Sequence, residues 1–110
     1  MDAVSGEVVR MFQTAVDPAD LSEVRRLFAD DILPLYLELP GCRGVELVVS
    51  VDHNPGGLVE GAAVSRWESR EAMDAAVASR PAKEAQVRVV ELLRQEPVVR
   101  VFEVLEQGGP

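Results

Sequence analysis

The sequence is poor in the residues that form disulfides and metal sites, because its 110 residues include only one cysteine, Cys42, and one histidine, His53. A single cysteine cannot close an internal disulfide, and no pair of thiols is available for a tetrahedral metal site. Long apolar runs are also absent, since no stretch of about 18 consecutive apolar residues predicts a membrane-spanning helix. We therefore expect a protein of the reducing cytoplasm with no bound metal and no membrane partner.

Basic residues are scarce as well. Eleven Lys and Arg residues stand against nineteen Asp and Glu residues, which gives a formal net charge of −8. Such a chain repels phosphate backbones and anionic head groups, and its scattered basic residues form no run that could follow a nucleic-acid strand. The composition therefore predicts that nucleic acid is not a partner.

Apolar residues, by contrast, make up 47% of the chain, which is enough to form a packed core. The length suits one domain, since a second core would have too few residues to be stable alone. We expect a single domain over residues 1–110, with a core from about residue 7 to residue 105 and a flexible tail at residues 106–110.

Four segments have the β-branched and apolar composition that is typical of strands, at residues 7–16, 45–52, 58–68 and 98–105. The turn between the second and third segments, His-Asn-Pro-Gly-Gly at residues 53–57, predicts that these two strands form an antiparallel hairpin.

A helix is predicted after the first strand. Asp17 is a suitable N-cap, and Pro18 suits the first helical position because its φ angle is fixed. Apolar residues then recur at helical spacing as far as Leu39. Pro34 lies inside this pattern, so we expect a kink or a break near residues 31–33.

A second helix is predicted after the third strand. Ser69 serves as its N-cap, and Pro81 predicts the start of a further helical segment. The order strand, helix, strand, strand, helix pair, strand predicts an α+β fold of the ferredoxin-like βαββαβ type. In that fold a four-stranded antiparallel sheet carries both helices on one face.

The strands are apolar on both faces, although helices would cover only one. The last strand has Val98, Phe102 and Val104 on one side, while its other side has Val99 and Val101. A large uncovered apolar surface is uncommon on a soluble monomer. We therefore expect a homodimer in which two sheets pack about a two-fold axis and form a barrel.

Two motifs are similar to those of a known family. Residues 64–73, VSRWESREAM, resemble the strand-Trp-Glu-Ser-helix junction of antibiotic biosynthesis monooxygenase (ABM) domains, and residues 39–44, LPGCRG, resemble their Pro-Gly turn. The resemblance covers about residues 7–105 and implies a dimeric α+β barrel. That family includes cofactor-independent oxygenases that act on quinols or polyphenols, and enzymes that degrade haem.

The haem-degrading members use an Asn on the first strand, a Trp on the third strand and a His on the second helix. Only the Trp has a counterpart here, which is Trp67. The sole Asn and His are Asn54 and His53 in the predicted turn, and Ala76 stands where the helix His would fall. Since haem ligation requires an imidazole or a thiolate directed at the iron, we expect neither haem nor any other cofactor.

Two residues are candidates for a catalytic role. The resemblance implies that Trp67 packs against a planar substrate and directs its N–H at a reacting oxygen, and the alternative is a Trp that only fills the core. His53 is the one side chain that titrates near neutral pH, so it is a candidate general base. The alternative for His53 is a solvated turn residue.

Four further residues are candidates for binding the substrate. The hydroxyl of Tyr36 lies just after the predicted kink, where it could orient a substrate oxygen or simply lie at a pocket rim. Ser65 shares a strand face with Trp67 and is a candidate pocket wall. On the first strand, Phe12 is a candidate apolar contact and Gln13 a candidate amide donor near the place where the family has its Asn.

The scarcity of catalytic groups leaves three functions open. The first is a cofactor-independent monooxygenase that acts on a small aromatic, quinol or polyketide-type molecule, in which the deprotonated substrate itself reduces dioxygen. The second is a barrel that binds a small apolar or aromatic ligand, or has a structural role, without turnover. The third is an isomerase or cyclase on the same fold, because a fold does not determine the reaction.

Overall fold

The structure is a computed structural model, and it describes residues 6–52 and 55–109. Its four strands are β1 Val8–Val16, β2 Cys42–Val49, β3 Val59–Trp67 and β4 Val98–Glu103. They form one antiparallel sheet in the order β2-β3-β1-β4. This strand order is that of the ferredoxin-like α+β fold, as the sequence predicts.

The predicted break in the first helix is confirmed and takes a specific form. A 3₁₀ turn at Pro18–Asp20 leads into α1, Leu21–Leu27, and a π-helical turn at Phe28–Ile32 separates α1 from α2, Leu33–Leu37. The N–H of Leu33 donates to the carbonyl of Phe28, five residues earlier. Pro34 has no N–H and would crowd the carbonyl four residues before it, so it is accommodated in the first turn of the new helix α2.

Both predicted N-caps are confirmed. A side-chain oxygen of Asp17 accepts from the N–H of Ala19 at 2.9 Å, and the Ser69 hydroxyl accepts from the N–H of Ala72 at 3.1 Å. Ser69 thereby begins α3, Arg70–Val77, and a separate helix α4 follows at Arg80–Val90 with a proline in its first turn.

The second strand lies three residues earlier in the chain than residues 45–52. It begins at Cys42, which pairs with Trp67 through an irregularity in register between Cys42 and Gly44. It ends at Val49, and the N–H of Ser50 makes one further bond to the carbonyl of Glu60 on β3. The sequence shows the β-branched run but not the partner strand, which sets the ends of the pairing.

The core lies on one face of the sheet, between the strands and the helices. Val8 and Trp67, which are cross-strand partners, pack with Tyr36, Met73 and other buried residues in one cluster. Trp67 is fully buried, with 0% of its surface exposed. The helices therefore cover the sheet face that carries Trp67.

The Pro-Gly turn that precedes β2 contacts the junction between β3 and α3. The carbonyl of Gly41 accepts from the N–H of Glu68 at 2.8 Å. A Cβ atom at Gly41 would lie only 2.5 Å from the Cβ of Ala72, and the φ angle of Gly41 is +85°. Only glycine fits there without strain. The two motifs that carry the family resemblance thus pack against each other.

The opposite side of the sheet, which we call the open face, is not covered by any helix of the described residues. Its side chains alternate with the core residues along each strand, and they include Val9, Met11, Val48, Val64, Val98 and Phe102. Val48, Val98 and Phe102 are 42%, 49% and 48% exposed. The open face therefore presents apolar side chains to solvent in the isolated chain.

A small charged group lies at the end of the open face. The buried carboxylate of Glu7 lies 3.4 Å from the guanidinium of Arg43 and 4.0 Å from that of Arg66. Arg66 is next to Trp67 on β3, so its side chain lies on the opposite, open face, and it makes this ion pair there.

Within the described ranges, no helix is long and apolar enough to cross a bilayer.

Candidate functional site

A cavity of about 100 Å³ lies between the helix-covered face of the sheet and the first helical segment. Its helical side is formed by Leu21, Val24, Phe28 and Ile32 together with residues on and just after α4, and its sheet side by residues of β1, β2 and β3. Polar side chains are few among the described residues that line it: they are Arg10, Thr14, Tyr36, Ser65 and Gln86. The cavity is therefore largely apolar, with a few polar groups that could orient a ligand.

The side chains of β3 explain where the cavity lies. Along its helix-covered face the residues become smaller, from Trp67 through Ser65 and Ala63 to Gly61. Trp67 fills the space beneath the helices at one end, whereas the small residues leave it unfilled at the other. The glycine is also needed for the sheet, since a Cβ at Gly61 would lie 2.6 Å from the carbonyl oxygen of Val48.

Tyr36 joins the cavity to the core. Its ring is buried and packs on Trp67, with the ring centroids 6.0 Å apart and a tilt of 60° between the planes. Burial raises the pKa of the Tyr36 hydroxyl above its ordinary value, and the positive charge of Arg10 partly opposes this effect. At neutral pH the hydroxyl therefore keeps its proton and can donate a hydrogen bond into the cavity.

The Trp67 N–H is directed at a protein group. It donates to the Ser65 hydroxyl at 2.9 Å, and both side chains are buried. Trp67 is not among the residues that line the cavity, whereas Ser65 is. A hydroxyl that accepts one hydrogen bond still has a proton to donate. Trp67 thus contacts the cavity through Ser65, which it holds in place.

The structure brings together three of the six residues that the sequence singles out as contacts of a ligand: Phe12, Tyr36 and Ser65 all line the cavity. Gln13 is exposed and lies on the open face, opposite Val98. Neighbouring residues of a strand point to opposite sides, so Phe12 and Gln13 cannot line the same cavity.

Of the other two residues, the structure describes only Trp67, which does not line the cavity. Trp67 lies behind Ser65, and His53 lies outside the described residues, so its role as a general base stays a prediction.

Sequence reasoning missed three polar residues of the cavity: Arg10, Thr14 and Gln86. A signal for the first two exists, because Arg10 and Thr14 are each two residues from Phe12 and therefore share its face. Thr14 is engaged within the protein, since its hydroxyl donates to the carbonyl of Gln95 at 2.8 Å. Gln86 lies on an exposed part of α4, where nothing in the sequence separates it from surface residues.

Comparison with known proteins identifies the family of this chain. The family profile described as antibiotic biosynthesis monooxygenase, ABM, matches residues 7–88, which is more than half of the chain. The chain belongs to the ABM family. No curated protein sequence matches it significantly.

Solved structures of similar fold cover nearly the whole ABM chain. Rv0793 from Mycobacterium tuberculosis is 28% identical, with a TM-score of 0.73 over 94% of this chain and 99% of its own. A protein of Caulobacter crescentus CB15, named as a candidate antibiotic biosynthesis monooxygenase, is 19% identical, with a TM-score of 0.76 over 94% of this chain and 93% of its own.

A conserved protein from Methanosarcina mazei Go1 is 18% identical, with a TM-score of 0.76 over 90% of this chain and 93% of its own. Because the Caulobacter crescentus and Methanosarcina mazei proteins are only 19% and 18% identical to this chain, their similarity supports a shared fold and nothing more.

The donor set of the cavity does not suit haem. None of the described residues that line it is a His, Cys or Met, and Ala76 on α3 is a buried alanine. Cys42 lies outside the lining, and burial raises the pKa of its thiol, which disfavours a thiolate ligand. The remaining candidate in the described lining is Tyr36, and burial raises the pKa of its hydroxyl, which disfavours the phenolate that would bind iron.

Haem is therefore expected to bind weakly and to remain intact when a reductant is supplied. An absorption titration with haem, followed by addition of ascorbate, measures both properties. A sharp Soret band at one equivalent of haem, lost after the reductant is added, would show that this interpretation of the site is wrong.

Proposed function

We propose that the protein is a monooxygenase that needs no cofactor and oxidises a small aromatic molecule of the quinol or polyketide type. The cavity is the observation that carries the proposal, because it combines apolar walls with a few polar groups. Such a site excludes water from a reactive anion and still holds its oxygen atoms in place. Membership of the ABM family supports the same reaction type.

The size of the cavity favours a substrate whose reacting part has one or two rings. Its volume is about 100 Å³, of the same order as the roughly 150 Å³ engineered cavity that binds benzene. A quinol with a single or fused double ring matches this space better than an extended polycycle. A larger substrate would have to place its remaining rings outside the cavity.

The reaction of such a quinol balances without any other reactant. A quinol hydroxyl loses its proton, and the electron-rich ring then forms a bond from carbon to dioxygen. The O–O bond of the resulting hydroperoxide breaks, water leaves, and the product is a quinone that carries one new oxygen atom. For 1,4-naphthohydroquinone the products are 2-hydroxy-1,4-naphthoquinone and one water molecule.

The protein contributes position and electrostatics to this reaction. Phe12 and the apolar walls hold the ring, and Tyr36 donates a hydrogen bond to an oxygen that gains negative charge. Ser65, fixed by Trp67, provides a second hydroxyl on the same side. His53 is our candidate acceptor for the quinol proton.

The test is turnover of 1,4-naphthohydroquinone in isotopically labelled dioxygen, with a chelator present and a matched sample without protein. We expect protein-dependent oxygen uptake and one labelled oxygen atom in the quinone product. Spontaneous oxidation instead gives unlabelled 1,4-naphthoquinone, so the mass of the product separates the two. An unlabelled product at the rate of the protein-free sample would contradict the proposal.

A variant that fills the cavity provides the matched control. Ala63→Leu adds volume to the cavity wall, and Ala75→Leu adds the same volume to an exposed position of α3. Only Ala63→Leu should abolish the labelled product.

The same assays distinguish the other two functions. Ligand binding without turnover would indicate a binding protein, and conversion of the substrate without oxygen would indicate an isomerase or cyclase.

We also propose that the protein is a homodimer whose sheets pack through their open faces. Val48, Val98 and Phe102 are about half exposed there, and a second copy is the economical cover for a flat apolar sheet face. The ion pairs of Glu7 with Arg43 and Arg66 lie on the same side and would rim such an interface.

Light scattering at low micromolar concentration should therefore give about twice the 12.0 kDa of one chain. Combined Val98→Glu and Phe102→Glu changes should reduce the mass to that of one chain, because they bury like charges against each other. Val87→Glu, at a 62% exposed position of α4, should leave the dimer intact. A wild-type monomer with native circular dichroism would contradict the dimer.

A further inference from the structure

Arg10 is the one side chain with a permanent charge among the described residues that line the cavity. It lies on β1, two residues from Phe12, and therefore on the helix-covered face of the sheet. Its guanidinium carbon lies 5.8 Å from the centroid of the Phe12 ring, in the geometry of a cation–π contact. The charge is thus held over the aromatic residue that we place against the substrate.

No carboxylate of the described chain lies within 4.0 Å of this guanidinium. The cross-strand neighbours of Arg10 are Ser65 and Val101, and the carboxylate of Glu103 on the same face of β4 makes no ion pair with it. Among the described residues of the lining, the only other ionisable group is Tyr36, which is uncharged at neutral pH. By comparison, Arg26 and Arg43 each lie within 4.0 Å of a carboxylate.

A half-buried cation beside apolar walls loses part of its hydration and gains no counter-charge from the protein. A ligand anion supplies that counter-charge, and a planar guanidinium binds oxyanions especially well. We propose that the cavity binds its aromatic ligand as an oxyanion, with the negative oxygen at Arg10 and the ring against Phe12. Arg10 is therefore the residue that selects ionised over neutral ligands.

The inference rests on the proposed function in one respect, the assignment of the cavity as the ligand site. It does not require turnover. If the ligand is a phenol or quinol, Arg10 favours loss of the hydroxyl proton on binding, which is the first step of the proposed reaction. If the ligand is an aromatic carboxylate, it arrives already ionised, and Arg10 only anchors it.

The experiment uses 4-nitrophenol as the probe, because its phenolate absorbs at longer wavelength than the neutral phenol. Titration over pH in the presence of saturating protein gives the apparent pKa of the bound phenol. An opposite charge a few Å away lowers a pKa by about one unit or more. We expect the bound 4-nitrophenol to titrate about one unit below the free compound.

Arg10→Met should abolish this shift and weaken binding of the phenolate about tenfold, while Arg10→Lys should retain part of both. Arg80→Met is the matched control, because it removes an arginine whose side chain is 88% exposed on α4, away from the cavity and from the open face. Thermal melting shows whether each variant folds. A second titration with 4-nitrobenzoate, an ionised carboxylate at neutral pH, shows whether Arg10 anchors a carboxylate as well as a phenolate.

The outcomes separate this inference from the proposed function. Binding of both probes that is unchanged in folded Arg10→Met overturns the role of Arg10 and leaves the cavity and the oxygenase test standing. Arg10-dependent binding together with an unlabelled quinol product supports the oxyanion site and overturns the oxygenase. No binding of either probe to the wild-type protein overturns the oxyanion site and counts against the cavity as a ligand site.

Discussion

Replacing Trp67 with alanine is expected to lower the free energy of unfolding by about 3–5 kcal/mol, the range for removing a large buried aromatic side chain. Trp67 is fully buried at the centre of the core cluster, where it packs against Tyr36. The change also removes the N–H that donates to the buried Ser65 hydroxyl. Both losses act on the same part of the fold, so the helices should loosen from the sheet there.

Urea denaturation measures this effect, and two other variants calibrate it. Trp67→Phe keeps most of the apolar volume and should cost about 1–2 kcal/mol, whereas Val87→Ala at a 62% exposed position should change stability by less than about 0.5 kcal/mol. A loss below about 1 kcal/mol in Trp67→Ala would show that this residue does not hold the core together.

The same variants test whether Trp67 also matters for the site. If it acts by fixing Ser65, turnover per folded molecule of Trp67→Phe should fall, and Ser65→Ala should lower turnover to a similar extent. Full turnover in folded Trp67→Phe would leave Trp67 as a core residue only.

Tyr36→Phe is expected to lower the rate of quinol oxidation about 100-fold, which is the scale for removing one hydrogen-bond donor from a developing oxyanion. The change deletes only the hydroxyl, so the packing on Trp67 and the cavity walls should persist. Thr14→Val is the matched control, because it removes a cavity hydroxyl that already donates to the Gln95 carbonyl. Activity of folded Tyr36→Phe within about twofold of wild type would contradict a role in the reaction.

The pH dependence provides a second readout for Tyr36. Because burial raises its pKa, the folded protein keeps this proton after an ordinary tyrosine has ionised. The unfolded chain ionises first as pH rises, so the stabilisation due to Tyr36 is complete below the ordinary tyrosine pKa of about 10 and is lost above it. Alkaline urea titrations should show a larger loss in the wild-type protein than in Tyr36→Phe, where the Cys42 thiol, whose pKa burial also raises, still contributes.

The fold was largely predictable from the sequence because its local signals agree with one another. Asp17 and Ser69 cap helices where the sequence places them, and Pro34 predicts a break that the structure resolves with a π-helical turn. The ends of β2 were less predictable. They depend on pairing with β3 and on the irregularity after Cys42, which are long-range features.

The site was predictable in part. Phe12, Tyr36 and Ser65 line the cavity because the alternation of strand residues and the position of the kink place them there. Gln13 was predicted to bind the substrate by analogy with a family position. It is next to Phe12 on the strand, however, so its side chain points to the open face. Arg10 was missed because a charged residue is expected to face water, and only the cavity shows why it faces the core side.

The central claim is that the cavity between the sheet and the first helical segment holds an aromatic ligand. A crystal structure of the protein with 2-hydroxy-1,4-naphthoquinone, the product of the proposed reaction, tests it most directly. We predict that the rings lie between Phe12 and Ile32, with one oxygen at Arg10 and another within hydrogen-bond distance of the Tyr36 hydroxyl. Rings bound on the open face, or an empty cavity at a saturating concentration of the quinone, would contradict the claim.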